Sequence, residues 1–98
     1  MAVTLEELRD KHREFILSTA ERCGVSDVRI FGSVLHGAAQ EDSDLDLLVE
    51  VRRGTGLMEL VGWQLDLEDR IGVPVQIVTQ RSVSPLLQQR ILSEAQPL

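Results

Sequence analysis

Ninety-eight residues, 43% hydrophobic and 27% charged, suffice for one small packed domain over residues 1–98 and leave little chain for a second lobe. The formal charge of −6 argues against the phosphate attraction that supplies most affinity for long nucleic acids, and a single cysteine, Cys23, excludes an internal disulfide. No apolar run approaches the ~18–20 residues that cross a bilayer, and the start from Met1 to Glu7 has no basic region followed by an apolar one, so a cytoplasmic protein is expected.

Thr4 and Glu7 form a capping box, a hydroxyl at the N-cap with an acid at N3. Behind it Leu5, Leu8, His12, Phe15, Ile16 and Thr19 keep near-helical spacing, which predicts an amphipathic helix over 5–22 ended by Cys23-Gly24. Residues 28–32, from Val28 to Gly32, read as a short apolar strand. A short helix is predicted over 34–39, then a polar loop from Gln40 to Ser43, then a strand over 44–51. Two arginines and two glycines between Arg52 and Gly56 predict a mobile turn. A second long helix follows over 57–71, closed by Gly72. Its apolar residues cover more than half of the circumference, wider than one sheet face requires. Part of it, with Trp63 at one margin, is therefore expected to meet another chain in a homo- or hetero-oligomer. Residues 74–78 read as a strand with Pro74 first, where proline is tolerated. Ser84 and Pro85 supply the N-cap and N1 of a closing helix that ends near Ala95. The order α-β-α-β-α-β-α predicts an α/β domain with a short mixed sheet and helices packed on it.

Two clusters carry chemistry. Gly32 permits close approach of a ligand to the backbone, and Ser33 adds a hydroxyl where the predicted short helix begins, a place whose unpaired amides attract phosphate. Twelve positions past Gly32, Asp44 precedes Asp46 by two residues. In a strand their side chains share a face with Cα atoms about 6–7 Å apart, close enough to converge on one hard cation. Either cluster alone is common in loops. Together, each beside an apolar strand, they point to a nucleotide-handling centre. Glu50 shares that face but lies about 13 Å farther along, too remote for the same cation. Glu41 and Asp42 read as solvated loop acids, His36 as a surface or packing residue, and Cys23 as a small buried hydrophobe. Arg52 and Arg53 could reach a triphosphate, and Arg81 and Arg90 are left open.

The run from Gly32-Ser33 through Gly37 to Ser43-Asp44-Leu45-Asp46 and its apolar tail resembles the signature of the minimal nucleotidyltransferases, the smallest members of the DNA polymerase β-like superfamily. The resemblance extends from Val28 to Ala95. It implies an ATP–magnesium substrate, with Asp44 and Asp46 holding the cations as catalytic residues and Gly32 and Ser33 holding the nucleotide phosphates. It also implies the antitoxin half of a toxin–antitoxin pair whose partner is a helical HEPN-type ribonuclease toxin. Some members of the family inactivate that partner by moving AMP onto a tyrosine. The family often carries a third acidic residue on the last strand, where this chain has Gln76. An amide oxygen can ligate a metal but brings no charge and is a poor base.

Three readings stay open: an adenylyltransferase acting on a protein hydroxyl, a binding module that neutralises its partner by contact, and an enzyme modifying small molecules. The last lacks the extra sequence that builds an acceptor pocket in aminoglycoside-modifying relatives.

Overall fold

The computed structural model describes residues 3–40 and 43–98; Glu41 and Asp42, expected as loop acids, lie with Met1 and Ala2 outside the described residues. The capping box forms as expected, the Glu7 amide donating to Thr4 Oγ1 at 3.1 Å. The helical run after it reaches Arg22 but is not uniform. It consists of α1 (Leu5–Glu7), a π-helical stretch (Leu8–His12) and α2 (Arg13–Arg22). The wider π turn absorbs a phase mismatch, since Leu8 and Ile16 are both fully buried although their eight-residue spacing overshoots two α-helical turns.

Four strands form one mixed sheet in the order β3-β2-β1-β4: β1 (Val25–Phe31), β2 (Leu45–Val51), β3 (Val75–Thr79) and β4 (Gln96–Pro97). β1 runs antiparallel to β2 and β4, while β2 and β3 are parallel. A parallel pair needs a crossover, which α3 (Leu57–Ile71) provides. Along β2, Leu45, Leu47 and Val49 enter the core with Ile16 of α2 and Trp63 and Leu67 of α3. Alternation therefore turns Asp46, Leu48 and Glu50 to the opposite face.

Helix α3 has the predicted limits because Gly72 adopts φ +86° and its amide donates to the Glu68 carbonyl at 2.8 Å, the left-handed stop that glycine accommodates without strain. Trp63, expected at the margin facing another chain, is instead fully buried in the chain's own core. Its indole Nε1–H donates to Thr19 Oγ1 at 3.0 Å, which satisfies the one polar group that would resist burial. The helix also fastens β3: Gln64 donates to the Val75 carbonyl at 2.7 Å, and Glu68 accepts from the Val75 amide at 2.8 Å.

Two elements differ from the sequence reading. Residues 33–37 form hydrogen-bonded turns rather than a helix, because Gly32 and Gly37 take φ of +80° and +70° and leave too few residues between them to propagate one. The short strand β4 pairs with Arg29 and Ile30 of β1, a contact that only the folded chain creates. The turn after β2, expected to be mobile, is tied down. The Arg52 amide donates to the Gly24 carbonyl at 2.8 Å, and its guanidinium donates to the Glu21 carbonyl at 3.0 Å. Cys23 packs partly buried against the core. Helix α4 (Pro85–Glu94) begins at Ser84 with Pro85 at N1, as predicted, and buries none of its residues fully. Among the described residues, no helix is long and apolar enough to cross a membrane.

Candidate functional site

The site grows from a row of three strand residues. Phe31 of β1 pairs with Asp46 of β2, and Asp46 pairs in register with Gln76 of β3. Their side chains share the face turned away from the core. The Leu45 amide donates to the Pro74 carbonyl at 2.8 Å, which locks β2 against the start of β3 and fixes the Asp46–Gln76 register. Just before β2, Ser43 closes a small reciprocal turn: its Oγ accepts from the Gln40 amide at 2.8 Å, and its own amide donates to the Gln40 carbonyl at 3.0 Å. That turn delivers Asp44, exposed, to the mouth of the strand.

Gly32 ends β1 at φ +80° and passes directly against the Asp46 carboxylate. A β-carbon there would overlap Asp46 Oδ2 and stand 3.1 Å from its Cγ. Both the backbone conformation and the space at this position thus require glycine. In the turn that follows, the amides of His36, Gly37 and Ala38 donate to the carbonyls of Gly32, Val34 and Ser33. Those of Ser33, Val34 and Leu35 have no acceptor among the described residues. The turn therefore retains the feature expected of a helix start, unpaired amides next to Gly32, without being a helix.

Electrostatics sharpen the picture. Asp46 is half-buried, and that burial, with the Asp44 charge as the smaller cause, raises its carboxyl above the ordinary carboxylate value. Neither aspartate has an ion-pair partner among the described residues. Two neighbouring carboxylates are an oxygen-donor pair of the kind that suits a hard divalent cation, whose remaining positions phosphate oxygens and water can fill. The pair stands without a third acid: among the described residues no group of three or more acidic, histidine or cysteine side chains could hold a metal. The third position in the row is the exposed amide of Gln76.

Beside this row, residues of β1, β3 and α4 line a groove of about 540 Å³. Phe31, Gln76 and Val78 form its floor, with Leu87, Arg90 and Ile91 of α4 opposite. The far end of α4 reaches the turn, where His36 Nε2 and Glu94 Oε2 lie 3.5 Å apart. Of the four arginines, the sequence reading offers Arg52 and Arg53 to a triphosphate and leaves Arg81 and Arg90 open. The fold separates them: Arg52, Arg53 and Arg81 line a hollow at the other end of β2, and Arg90 alone of the four lines the groove beside Gln76. Position on the sheet, not residue type, makes that distinction.

A family model of the nucleotidyltransferase domain matches residues 9–98. The protein adenylyltransferase MntA of Thermococcus cleftensis is 32% identical over 92 residues, covering 94% of this chain and 93% of that one. A candidate protein adenylyltransferase of Methanocaldococcus jannaschii is 43% identical over 72 residues, 74% of this chain and 77% of its own. Among solved structures, a candidate minimal nucleotidyltransferase superposes with a TM-score of 0.88 at 47% identity, covering 98% of this chain and 97% of that one. A toxin–antitoxin crystal structure with AMP-PNP shares the fold, with a TM-score of 0.74 at 19% identity over 88% of this chain and 71% of that one. The chain belongs to the nucleotidyltransferase domain family and is a transferase with the minimal nucleotidyltransferase fold.

Proposed function

We propose that residues 1–98 act as one domain that binds ATP with magnesium and transfers AMP to a hydroxyl of a partner protein, as the antitoxin of a HEPN-type toxin. The observation that carries this reading is the contact between Gly32 and Asp46, which sets a turn with unpaired amides against the Asp46 carboxylate, itself under the influence of the Asp44 charge. In it Gly32 and Ser33 receive the β- and γ-phosphates, while Asp44 and Asp46 hold the metal. Magnesium, when bound, offsets the phosphate charge and polarises the reacting phosphoryl group. The acceptor oxygen bonds to the α-phosphorus, the bond from that phosphorus to the bridging oxygen breaks, and pyrophosphate leaves. The hydroxyl proton is lost to solvent, because the Gln76 amide can orient the hydroxyl but cannot take its proton. Arg90 supplies positive charge on the groove side of the row. The names of the MntA relatives and the toxin–antitoxin structure support a toxin partner.

Gln76 favours a second reading, in which the chain binds nucleotide but neutralises its partner by contact alone. The two are separated by incubating the protein with ATP, magnesium and the helical protein encoded beside it, then measuring the partner's intact mass. A gain of one AMP supports transfer. Nucleotide binding with no mass change leaves the contact reading.

A further inference from the structure

A hollow of about 710 Å³ lies where the parallel strands β2 and β3 end, within the size range of small-molecule sites. In open α/β sheets the crevice beyond the carboxyl ends of the strands is where ligands commonly bind. The Asp44–Asp46 pair stands at the opposite end of β2: Val51 is five residues beyond Asp46, about 16–17 Å along the strand. The charge of the hollow runs against that of the chain. Arg52, Arg53 and Arg81 line it with a single acid among the described residues, Glu50, in a protein whose formal charge is −6.

Two hydrogen-bonded turns deliver these arginines. After β2, the Thr55 amide donates to the Arg52 carbonyl at 3.1 Å, and the Arg52 amide and Thr55 Oγ1 both donate to the Gly24 carbonyl, at 2.8 and 3.4 Å. The Arg52 guanidinium uses one end on the Glu21 carbonyl and keeps its other donors. After β3, the 3₁₀ turn Gln80–Ser82 carries Arg81, and Ser82 Oγ donates to the Thr79 carbonyl at 2.9 Å. Val49 and Thr79 pair in register, so the two turns leave the sheet side by side. Arg53 and Arg81 are exposed and have no ion-pair partner among the described residues. Guanidinium groups on anchored turns, with no acid of their own chain to bind, are prepared for an anion from outside, and their planar forks match phosphate oxygens in pairs. We propose that this hollow is a second anion site, which takes a small ligand carrying two or more adjoining phosphate groups. Its size suits a compact ligand, whereas a long nucleic acid would meet the acidic remainder of the chain. This inference is independent of whether the chain transfers AMP.

Calorimetric titration of the native chain with pyrophosphate in metal-free buffer tests the site, because without a cation the Asp44 and Asp46 carboxylates repel the anion. Saturable binding is expected below about 1 mM, a range that includes weak sites, and the amide NMR signals of residues 52–55 and 79–81 should move. Arg53→Gln and Arg81→Gln should each weaken binding about tenfold, since each removes a charge-assisted donor. Glu50→Gln should tighten it about threefold by removing the one opposing charge, a gain that misfolding does not produce. Both arginines are exposed, so circular dichroism and melting temperature should stay near native values. Pyrophosphate and ADP that bind alike and move the same signals identify a free oligophosphate as the ligand. ADP bound at least tenfold tighter at those signals identifies the phosphates of a nucleotide, and either result supports the site. No saturable binding, an affinity that both arginine variants leave unchanged, or a hexaglutamate peptide that binds more tightly than pyrophosphate would overturn the proposal.

Discussion

Gly32 and Asp46 occupy adjoining space so fully that a single added carbon on the glycine would displace the carboxylate. This contact joins the end of β1 to the start of β2. It makes position 32 answerable to two separate demands, a left-handed backbone and an unobstructed Asp46.

Gly32→Ala should therefore lose stability and function together. An alanine in the left-handed region costs about 1 kcal/mol or more in strain, and the clash adds to it. For a domain of this size each kcal/mol lowers the melting temperature by about 4–8 °C. Gly24→Ala is the matched control, since Gly24 also has φ +80° and a β-carbon there would overlap Thr55 Oγ1, far from the carboxylates. Both variants should melt earlier than native, but only Gly32→Ala should abolish ATP–magnesium binding by calorimetric titration. Equal nucleotide affinity in the two would detach Gly32 from the site.

Asp46 predicts a pH effect whose sign follows from its environment. Burial and Asp44 raise its carboxyl above its ordinary value of 3.8, so the folded state holds the proton more tightly than the unfolded chain. The stability this provides is complete below 3.8 and is lost as pH rises through the folded value. At neutral pH the ionised group opposes folding. Asp46→Asn should raise the melting temperature at neutral pH in metal-free buffer, with the advantage closing as the pH drops below 3.8. Magnesium should narrow the difference by stabilising the native protein alone, since it favours the state that binds it. A melting series across pH with and without magnesium checks both parts.

The buried indole makes a further prediction. Thr19 Oγ1 accepts from Trp63 and also donates to the Phe15 carbonyl at 2.6 Å, so the hydroxyl links α2 to α3 from inside the core. Thr19→Val is nearly the same shape but leaves the indole N–H buried without an acceptor, at about 1–3 kcal/mol. Chemical denaturation should show that loss with little change in slope. A variant as stable as native would mean that the hydroxyl contributes nothing to core stability.

What the sequence revealed and what it hid divide along locality. The limits of α3 are encoded by residues in direct succession, with Gly72 as the stop, and the strand expected over 44–51 forms as Leu45–Val51, which leaves Asp44 just before it. Helical periodicity shows how wide the apolar arc of α3 is. It carries no information about which part of that arc the core takes, so Trp63 and Leu65 look alike until α2 and the sheet are in place. The helix expected over 34–39 is too short to propagate, and Gly32 and Gly37 with their positive φ decide for a turn over 33–37. β4 is two residues long and is defined by its partner Ile30. The assignment of Arg90 to the groove likewise depends on where α4 comes to lie beside Gln76, which nothing in the sequence around Arg90 specifies.

Gln76 is the residue on which transfer turns. It sits in register with Asp46, on the same face and exposed, so Gln76→Asp would bring a third carboxylate to the row without disturbing the core. In metal-free buffer the added charge faces two existing aspartates and should lower the melting temperature. Magnesium should recover more stability in the variant than in the native chain, since three carboxylates bind a hard cation better than two. The same substitution supplies a group able to accept the proton of an attacking hydroxyl, a role that contributes about 10²–10⁴-fold in enzymes that use it. Labelling of the partner protein by AMP, followed by intact mass over time, should therefore be slow or absent with the native chain and clearly faster with Gln76→Asp. Parallel melts with and without magnesium show whether the new carboxylate has joined the metal site. If the native chain labels at full rate and Gln76→Asp abolishes labelling, the amide itself is the functional group, and the contact-only reading fails with the missing-carboxylate argument.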